Sequence, residues 1–332
     1  MKTYYTIPIF IPEKACPYRC IYCNQYKIVG CNNIIQPEEM KTLINTYLST
    51  IPAKAYKTIA FFGGSFTGMS IEEQSHYLQV AYQYLSKGEV QRIQLSTRPD
   101  YISRPILENL KRYGVNIVEL GAQSLNDEVL RFIGRGHTVQ QVETAAEMVK
   151  DYGFELGLQM MIGLPTDTHE GALATAKKII DLKARNTRIY PTLVIKNTYL
   201  ESLYRQGKYA PLTLEEAVSL SAEIYELFDK NHVKVLRVGL HPSEGLLNGE
   251  SLVAGPFHVS FKELVLSRIW QKRLDNVMQN NVAGKVKVHV SPSQLNAAIG
   301  YGGSNRKKYQ GRMLFEADET IEKDAFKIEI VN

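Results

Sequence analysis

Strand and helix alternate in series along about the first 240 residues, and this limits the fold more than any other feature of the chain. Thr6–Ile11, Thr58–Phe62, Arg92–Thr97, Val115–Leu120, Glu155–Ile162, Thr187–Ile195 and Val233–Val238 read as short apolar strands. Between them, Pro37–Leu48, Ile71–Leu85, Ile102–Tyr113, Asn126–Ile133 with Val139–Tyr152, His169–Lys183 and Leu214–Asn231 carry helical spacing. Six or seven βα units in a row predict a parallel sheet covered by helices. No G-x-G-x-x-G follows the first strand, and glycine-rich polar loops recur after nearly every strand. A partial (β/α)6-type barrel therefore fits better than a dinucleotide-binding sheet, with ligands at the C-terminal ends of its strands. The alternation breaks near Asn248-Gly249-Glu250-Ser251. A helix (about Phe261–Met278), a strand (Val286–Val290), a short helix and a glycine loop follow, which predicts a small α+β module. The expected division is a barrel over 1–250 and a C-terminal module over 251–332.

The four cysteines are too few for a disulfide framework in 332 residues, and all lie at one end. Cys16-Pro-Tyr-Arg-Cys20-Ile-Tyr-Cys23 occupies the loop after the first strand, with Cys31 close behind. Three thiolates so close together converge on a metal or cluster, or stay idle. A 4Fe–4S cluster normally takes four cysteines, so three would leave one iron open. With Cys31 as a fourth ligand, a structural zinc site is the competing reading. No histidine precedes His76 to help such a site.

The content of 44% hydrophobic and 22% charged residues excludes wholesale disorder and fibrous repeats. No apolar run reaches the roughly 18 residues of a membrane span, and Met1–Pro12 lacks the apolar region of a signal peptide. A cytoplasmic, non-membrane protein is expected. The net charge of +5 is unevenly placed. Residues 1–250 hold 27 Lys+Arg against 26 Asp+Glu, 251–312 hold 10 against 2, and 313–332 hold 2 against 6. A basic block suggests a polyanionic partner, although scattered lysines also make an ordinary solvated face.

The C-x3-C-x2-C loop, with Tyr22 just before its last cysteine, resembles the radical SAM superfamily. In that superfamily the three cysteines hold a 4Fe–4S cluster whose open iron binds S-adenosylmethionine (SAM). The resemblance makes Cys16, Cys20 and Cys23 the metal ligands. Tyr22, Gly63, Gly64, Ser65, Ser96, Gln123 and Arg135 become the cofactor contacts. Gly63-Gly64-Ser65 stands where the superfamily's glycine motif holds the methionine amine, with Ser65 in place of a frequent carboxylate. Glu119-Leu-Gly-Ala-Gln123-Ser124 and Ile133-Gly-Arg135-Gly-His137-Thr138 are similar to two groups. These are the coproporphyrinogen dehydrogenases and the catalytic subunit of elongator, which modifies the wobble uridine of tRNA. Ser96 replaces a glutamate expected in the elongator group. Ile189-Tyr190-Pro191-Thr192 through Leu200, with Gly207-Lys208-Tyr209, favours the elongator subunit. That resemblance runs from about Cys16 to Val238. Only 94 residues follow, none reading as an acetyl-CoA loop, so the acetyltransferase half of that chemistry is not implied.

The resemblance implies a radical SAM enzyme that generates a 5′-deoxyadenosyl radical, with RNA (tRNA) as substrate and a flavodoxin or ferredoxin as electron donor. A small-molecule or porphyrin-like substrate is the alternative within the enzyme class. An iron–sulfur or zinc module that docks nucleic acid without chemistry is the alternative outside it. Lys196, Arg237 and His241 fall at or past the last strand ends and are the substrate-side candidates, described equally well as solvated rim residues. In the C-terminal module, Gly300-Tyr-Gly-Gly-Ser304-Asn-Arg306-Lys307-Lys308 places glycines, a candidate N-cap at Ser304 and three cations in one anion- or RNA-binding stretch.

Overall fold

The computed structural model describes residues 3–11, 20–29, 35–280, 285–309 and 311–331. Cys16 and Cys31 lie outside these residues. The chain runs β1 (Tyr4–Ile11), α1 (Gln25–Val29), α2 (Pro37–Thr50), β2 (Tyr56–Gly63), α3 (Ile71–Ser86), β3 (Arg92–Thr97), α4 (Arg104–Arg112), β4 (Ile117–Gln123), α5 (Asp127–Phe132), α6 (Val139–Asp151), β5 (Glu155–Ile162), α7 (His169–Asp181) and β6 (Asn186–Pro191). It continues through β7 (Val194–Ile195), α8 (Tyr199–Arg205), α9 (Leu214–Lys230), β8 (Lys234–Val238), α10 (Glu244–Leu247), β9 (Leu252–Ala254) and α11 (Phe261–Asn280). The last elements are β10 (Lys285–Val290), α12 (Leu295–Ile299), α13 (Ser304–Lys308), β11 (Met313–Ala317) and β12 (Phe326–Val331).

Seven parallel strands form a curled partial barrel in the order β1-β2-β3-β4-β5-β6-β8. Ile7, Ile9, Ile59, Phe61, Ile93, Leu95, Val118 and Leu158 are essentially inaccessible, because the sheet is roofed by helices. Helix starts follow side-chain chemistry. Ser70 with Glu73, Thr138 with Gln141 and Thr213 with Glu216 each close a reciprocal capping box. The edge strands β1 and β8 do not pair by backbone hydrogen bonds. They meet where the Lys234 ammonium lies 4.9 Å from the centroid of the Tyr4 ring. At this same N-terminal end, Glu155 joins Arg92 (2.8 Å) and Asn186 (2.9 Å), which floors the barrel with polar side chains.

The strand expected over Thr187–Ile195 is two strands. After Pro191 the Thr192 amide and hydroxyl both donate back to the Ile162 carbonyl, at 2.9 and 2.8 Å. The chain therefore leaves the sheet, and β7 pairs antiparallel with β9 instead. The apolar cores do not part at residue 250. Phe261, Val265 and Ile269 belong to the barrel core, whereas Trp270, Leu274 and Val277 of the same α11 belong to a second core. That second core lies under a sheet ordered β11-β10-β12. Ion pairs Arg268–Glu215 and Lys272–Glu223 further tie α11 to α9. Among the described residues no helix is long and apolar enough to cross a membrane.

Candidate functional site

The described end of the cysteine loop is held by backbone bonds. Ile21 donates to the Ile133 carbonyl at 3.1 Å, and Leu200 donates to the Ile21 carbonyl at 2.8 Å. The Cys23 amide donates to the Cys20 carbonyl at 2.9 Å, which places both thiols on one tight turn. Cys20 and Tyr22 are buried there. Burial, reinforced by the Cys20 thiol, pushes the Tyr22 phenol well above its ordinary pKa.

Arg135 reaches this turn because of how α5 ends. The Arg135 amide donates to Leu130 (2.9 Å) and the Gly134 amide to Arg131 (3.2 Å), the paired bonds of a Schellman stop. The chain then turns inward, and Arg135 is buried. Its Nη1 lies 3.5 Å from Cys20 Sγ, and its Nη2 donates to the Gly121 carbonyl at 2.8 Å. Burial opposes its charge, but Tyr22 and the thiols of Cys20 and Cys23 outweigh that and hold the guanidinium above its ordinary pKa. Glycine at 121 makes the approach possible. A Cβ there would lie 2.8 Å from Arg135 Nη2 and 2.9 Å from Gln123 Nε2. Gln123 itself sits at a bulge between β4 and β5 with φ of +68°.

At the end of β2, Gly63 has φ of +107°, and a Cβ would meet the Ile11 carbonyl oxygen at 2.8 Å. The Gly64 amide donates to that same oxygen at 2.8 Å, locking the ends of β1 and β2 together. Ser65 is buried beneath. Its hydroxyl bonds Thr97 Oγ1 (3.1 Å) and accepts from the Arg98 amide (3.2 Å), so it ties β2 to β3. Ser96 faces the barrel interior in a network with Glu119 (3.2 Å) and Gln159 (3.0 Å). A narrow cleft opens between Ile11, Phe62, Gly64, Ser65 and Ser96.

A family model described as the radical SAM superfamily matches residues 11–179. The chain belongs to the radical SAM superfamily. A second model, the radical SAM C-terminal domain, matches residues 185–271, ending where the two apolar cores part. The tRNA uridine(34) acetyltransferase of Methanocaldococcus jannaschii is 30% identical over 182 residues, 49% of this chain and 34% of the relative. Elongator complex protein 3 of Saccharomyces cerevisiae is 35% identical over 165 residues, 49% of this chain and 29% of the relative. The chain thus spans about a third of the length of these curated relatives. The solved structure of Methanocaldococcus infernus Elp3 superposes with a TM-score of 0.67 over 82% of this chain and 64% of that one. At 22% identity that likeness is one of fold.

Within the radical SAM barrel, the structure brings together Tyr22, Cys20, Cys23, Gly121, Gln123 and Arg135. It adds interior residues that the sequence did not single out: Glu119, Gln159, Arg188 and Tyr190. Arg188 Nε donates to both Glu119 oxygens, at 2.8 and 3.2 Å, and its guanidinium lies 4.9 Å from the Phe62 ring. Gln159 Nε2 donates to Glu119 at 2.7 Å. The available signal was a charged or amide residue set in the middle of the apolar strands β4, β5 and β6. A strand buried on both faces carries one only where it faces a lined cavity.

Of the substrate-side candidates, Arg237 and His241 are joined, with Nη2 and Nδ1 3.1 Å apart, while Lys196 lies apart on the β7–α8 connection beside Asn24. In the C-terminal module, Ser304 is not the N-cap. Gly303 holds that place in the left-handed conformation, and Ser304 already has helical angles. Lys308 is bound by Asp275 at 2.7 and 2.9 Å, whereas Arg306 and Lys307 are exposed without an ion pair among the described residues.

Proposed function

We infer that this chain is a radical SAM enzyme that cleaves SAM reductively at a 4Fe–4S cluster and uses the radical to modify a nucleotide of RNA, most specifically of tRNA. The carrying observation is the buried Arg135 guanidinium set between Cys20 Sγ and the Gly121 carbonyl, at the C-terminal ends of the strands. Soft thiolates on one turn suit an iron–sulfur cluster, and Cys20 and Cys23 supply two of the three ligands, with Cys16 the third. The superfamily implies the cluster and SAM. Bound together there, they supply one-electron cleavage of the sulfonium and a 5′-deoxyadenosyl radical that abstracts hydrogen.

The chain's own part is to orient and shield. Arg135 and Gln123 hold the carboxylate end of SAM, Gly63-Gly64 admits its amine, and the half-buried Ser96–Glu119–Gln159 network lines the interior. The names of the relatives support tRNA, and so do Arg306 and Lys307 in the C-terminal module, which make no ion pair among the described residues. A flavodoxin or ferredoxin supplies the electron, and the cytoplasm keeps the thiols reduced. The test is anaerobic incubation of reconstituted protein with SAM, dithionite and total tRNA, followed by nucleoside mass spectrometry. 5′-Deoxyadenosine together with a new modified nucleoside is the expected result. SAM cleavage that leaves every nucleoside unchanged would overturn the RNA part, and no 5′-deoxyadenosine at all would overturn the enzyme.

A further inference from the structure

Among the described residues, two half-buried cations at the β8 side of the barrel mouth, Arg237 and Lys262, have no carboxylate partner. Arg188 and Arg237 stand opposite one another in the β6–β8 register. Arg188 takes both oxygens of Glu119. Arg237, half-buried, is left with the Gly239 carbonyl (3.2 Å) and His241 Nδ1 (3.1 Å), and bonds no carboxylate among the described residues. Because Nδ1 accepts that bond, the neutral His241 ring carries its proton on Nε2, which is free to donate outward.

A third cation comes from α11. Phe261 seats on Gly239, where a Cβ would lie 3.0 Å from the Phe261 Cβ, and this fixes the start of α11 beside the end of β8. The next residue, Lys262, is half-buried and makes no hydrogen bond or ion pair among the described residues. The charges acting on it are Glu263, its exposed chain neighbour, and three further cations: Lys323, Arg237 and Lys234. Burial and these like charges lower the Lys262 pKa, and burial with Arg188 lowers that of Arg237. A protein gains no stability from half-buried cations held together without a partner, so the arrangement is suited to an anion that arrives from outside.

We propose that Arg237, His241 and Lys262 form a phosphate-binding site at the mouth of the barrel, which grips a backbone phosphodiester of the RNA and so delivers a neighbouring nucleotide to the interior. The source of the phosphate rests on the RNA reading above; the anion site itself does not. Arg237 presents a planar donor fork, Lys262 a point charge and His241 a neutral N–H, a set matched to the several oxygens of a phosphoryl group. Arg306 and Lys307 lie elsewhere, on the C-terminal module, and act independently.

The test uses the full chain with its cluster, as wild type and as the double variant Arg237→Gln/Lys262→Gln, in two arms. In the first arm, millimolar inorganic phosphate at fixed ionic strength should raise the melting temperature of wild type but not of the variant. In phosphate-free buffer the variant should melt no lower than wild type, since it loses repulsion, and this also shows that it folds. Equal phosphate stabilisation of the two proteins would overturn the site. In the second arm, tRNA affinity is measured across salt concentrations. The variant should lose about 1.4 to 1.8 units of log–log slope, at about 0.7 to 0.9 per contact, and Arg237→Lys/Lys262→Arg should restore most of it. An unchanged slope with phosphate stabilisation intact would overturn RNA as the source and point to a small phosphorylated ligand. No tRNA binding by wild type would instead sink the RNA reading, leaving the anion site to the first arm.

Discussion

Arg98 donates through Nη2 to the backbone carbonyl of Arg135 at 2.5 Å, while Nε and Nη2 make a bidentate pair with Asp100 at 2.9 Å each. One buried guanidinium thus fixes the backbone of another, and Arg135 is aimed at Cys20 from a locked position. The Arg98-Pro99-Asp100 sequence after β3 is a positioning device for a residue 37 places further on.

Breaking that device should separate positioning from stability. Arg98→Met leaves Asp100 unpaired in a largely buried place and should cost about 3 kcal/mol or more in denaturant unfolding. Arg98→Met/Asp100→Leu removes both charges and should recover most of that loss. SAM should still bind the double variant several-fold more weakly by calorimetry, because Arg135 is no longer held. Wild-type SAM affinity in the double variant would show that Arg135 needs no support.

Arg135→Ala should weaken SAM binding about 10- to 100-fold, the loss of one charge-assisted hydrogen bond at about 1.5–3 kcal/mol. Iron content should remain at about four per chain, since the ligands are untouched. Cys16→Ala, Cys20→Ala and Cys23→Ala should each abolish the cluster absorbance, and Cys31→Ala should not.

Gly121→Ala is a change at the site more than in the core. The added methyl would meet the far ends of Arg135 and Gln123, which can swing aside at little cost to folding. The expected outcome is a melting temperature within a few degrees of wild type, about 1 kcal/mol, with SAM affinity at least tenfold lower. Gly157→Ala should do the reverse and unfold readily, because its methyl would meet Asn186 Oδ1 at 2.3 Å and Glu119 Cγ at 2.7 Å inside the packed interior.

Acid stability should depend on His137. It is buried, and burial first, with the charges of Arg135 and Arg98, pulls its pKa from 6.5 down to about 3. Between those pH values the unfolded chain binds the extra proton and the folded one does not. The contribution of His137 is therefore complete above pH 6.5 and is lost as pH falls toward 3, by at most about 1.4 kcal/mol per pH unit. Chemical denaturation at pH 7, 6 and 5 should show a shallower loss for His137→Asn than for wild type. Parallel slopes would remove His137 from the acid response.

Arg306→Ala/Lys307→Ala should lower the salt slope of tRNA binding by about 1.4 to 1.8 units, and adding Lys308→Ala should change it little further. Asp275 already neutralises Lys308 at 2.7 Å, so that lysine has no counterions to release. A third full unit on its removal would mean that the ion pair opens for RNA.

The barrel was legible because each of its units repeats one pattern. Arg92–Thr97 and Glu155–Ile162 fall on the expected residues, and most helix ends within two or three, because turns and caps mark them. Of the C-terminal strands, β10 was legible as Val286–Val290, whereas β11 and β12 were not: they are short and bury little of themselves. The core boundary was hidden for a different reason, since α11 is one uninterrupted helix that enters both cores. At the site, the Cys20, Gln123 and Arg135 pattern was visible in the sequence, but the Arg98–Arg135 bond and the lumen pair Arg188–Glu119 were not. Both join residues on different strands or loops, and their partners are set by curvature and register.

The meeting of Tyr4 with Lys234 decides how this barrel can be entered. Every other neighbouring pair of strands in the main sheet is stitched by backbone hydrogen bonds. Along the β1–β8 line the described link is one ammonium on the face of a ring that is 62% exposed, a contact of about 0.5–1 kcal/mol. Among the described residues, no backbone hydrogen bond closes the wall along that line. A fully stitched cylinder admits only what fits through its mouth, a chain end or a small molecule. A cylinder with one unstitched side can be loaded laterally, and so can receive the bend of a long polymer whose two ends remain outside.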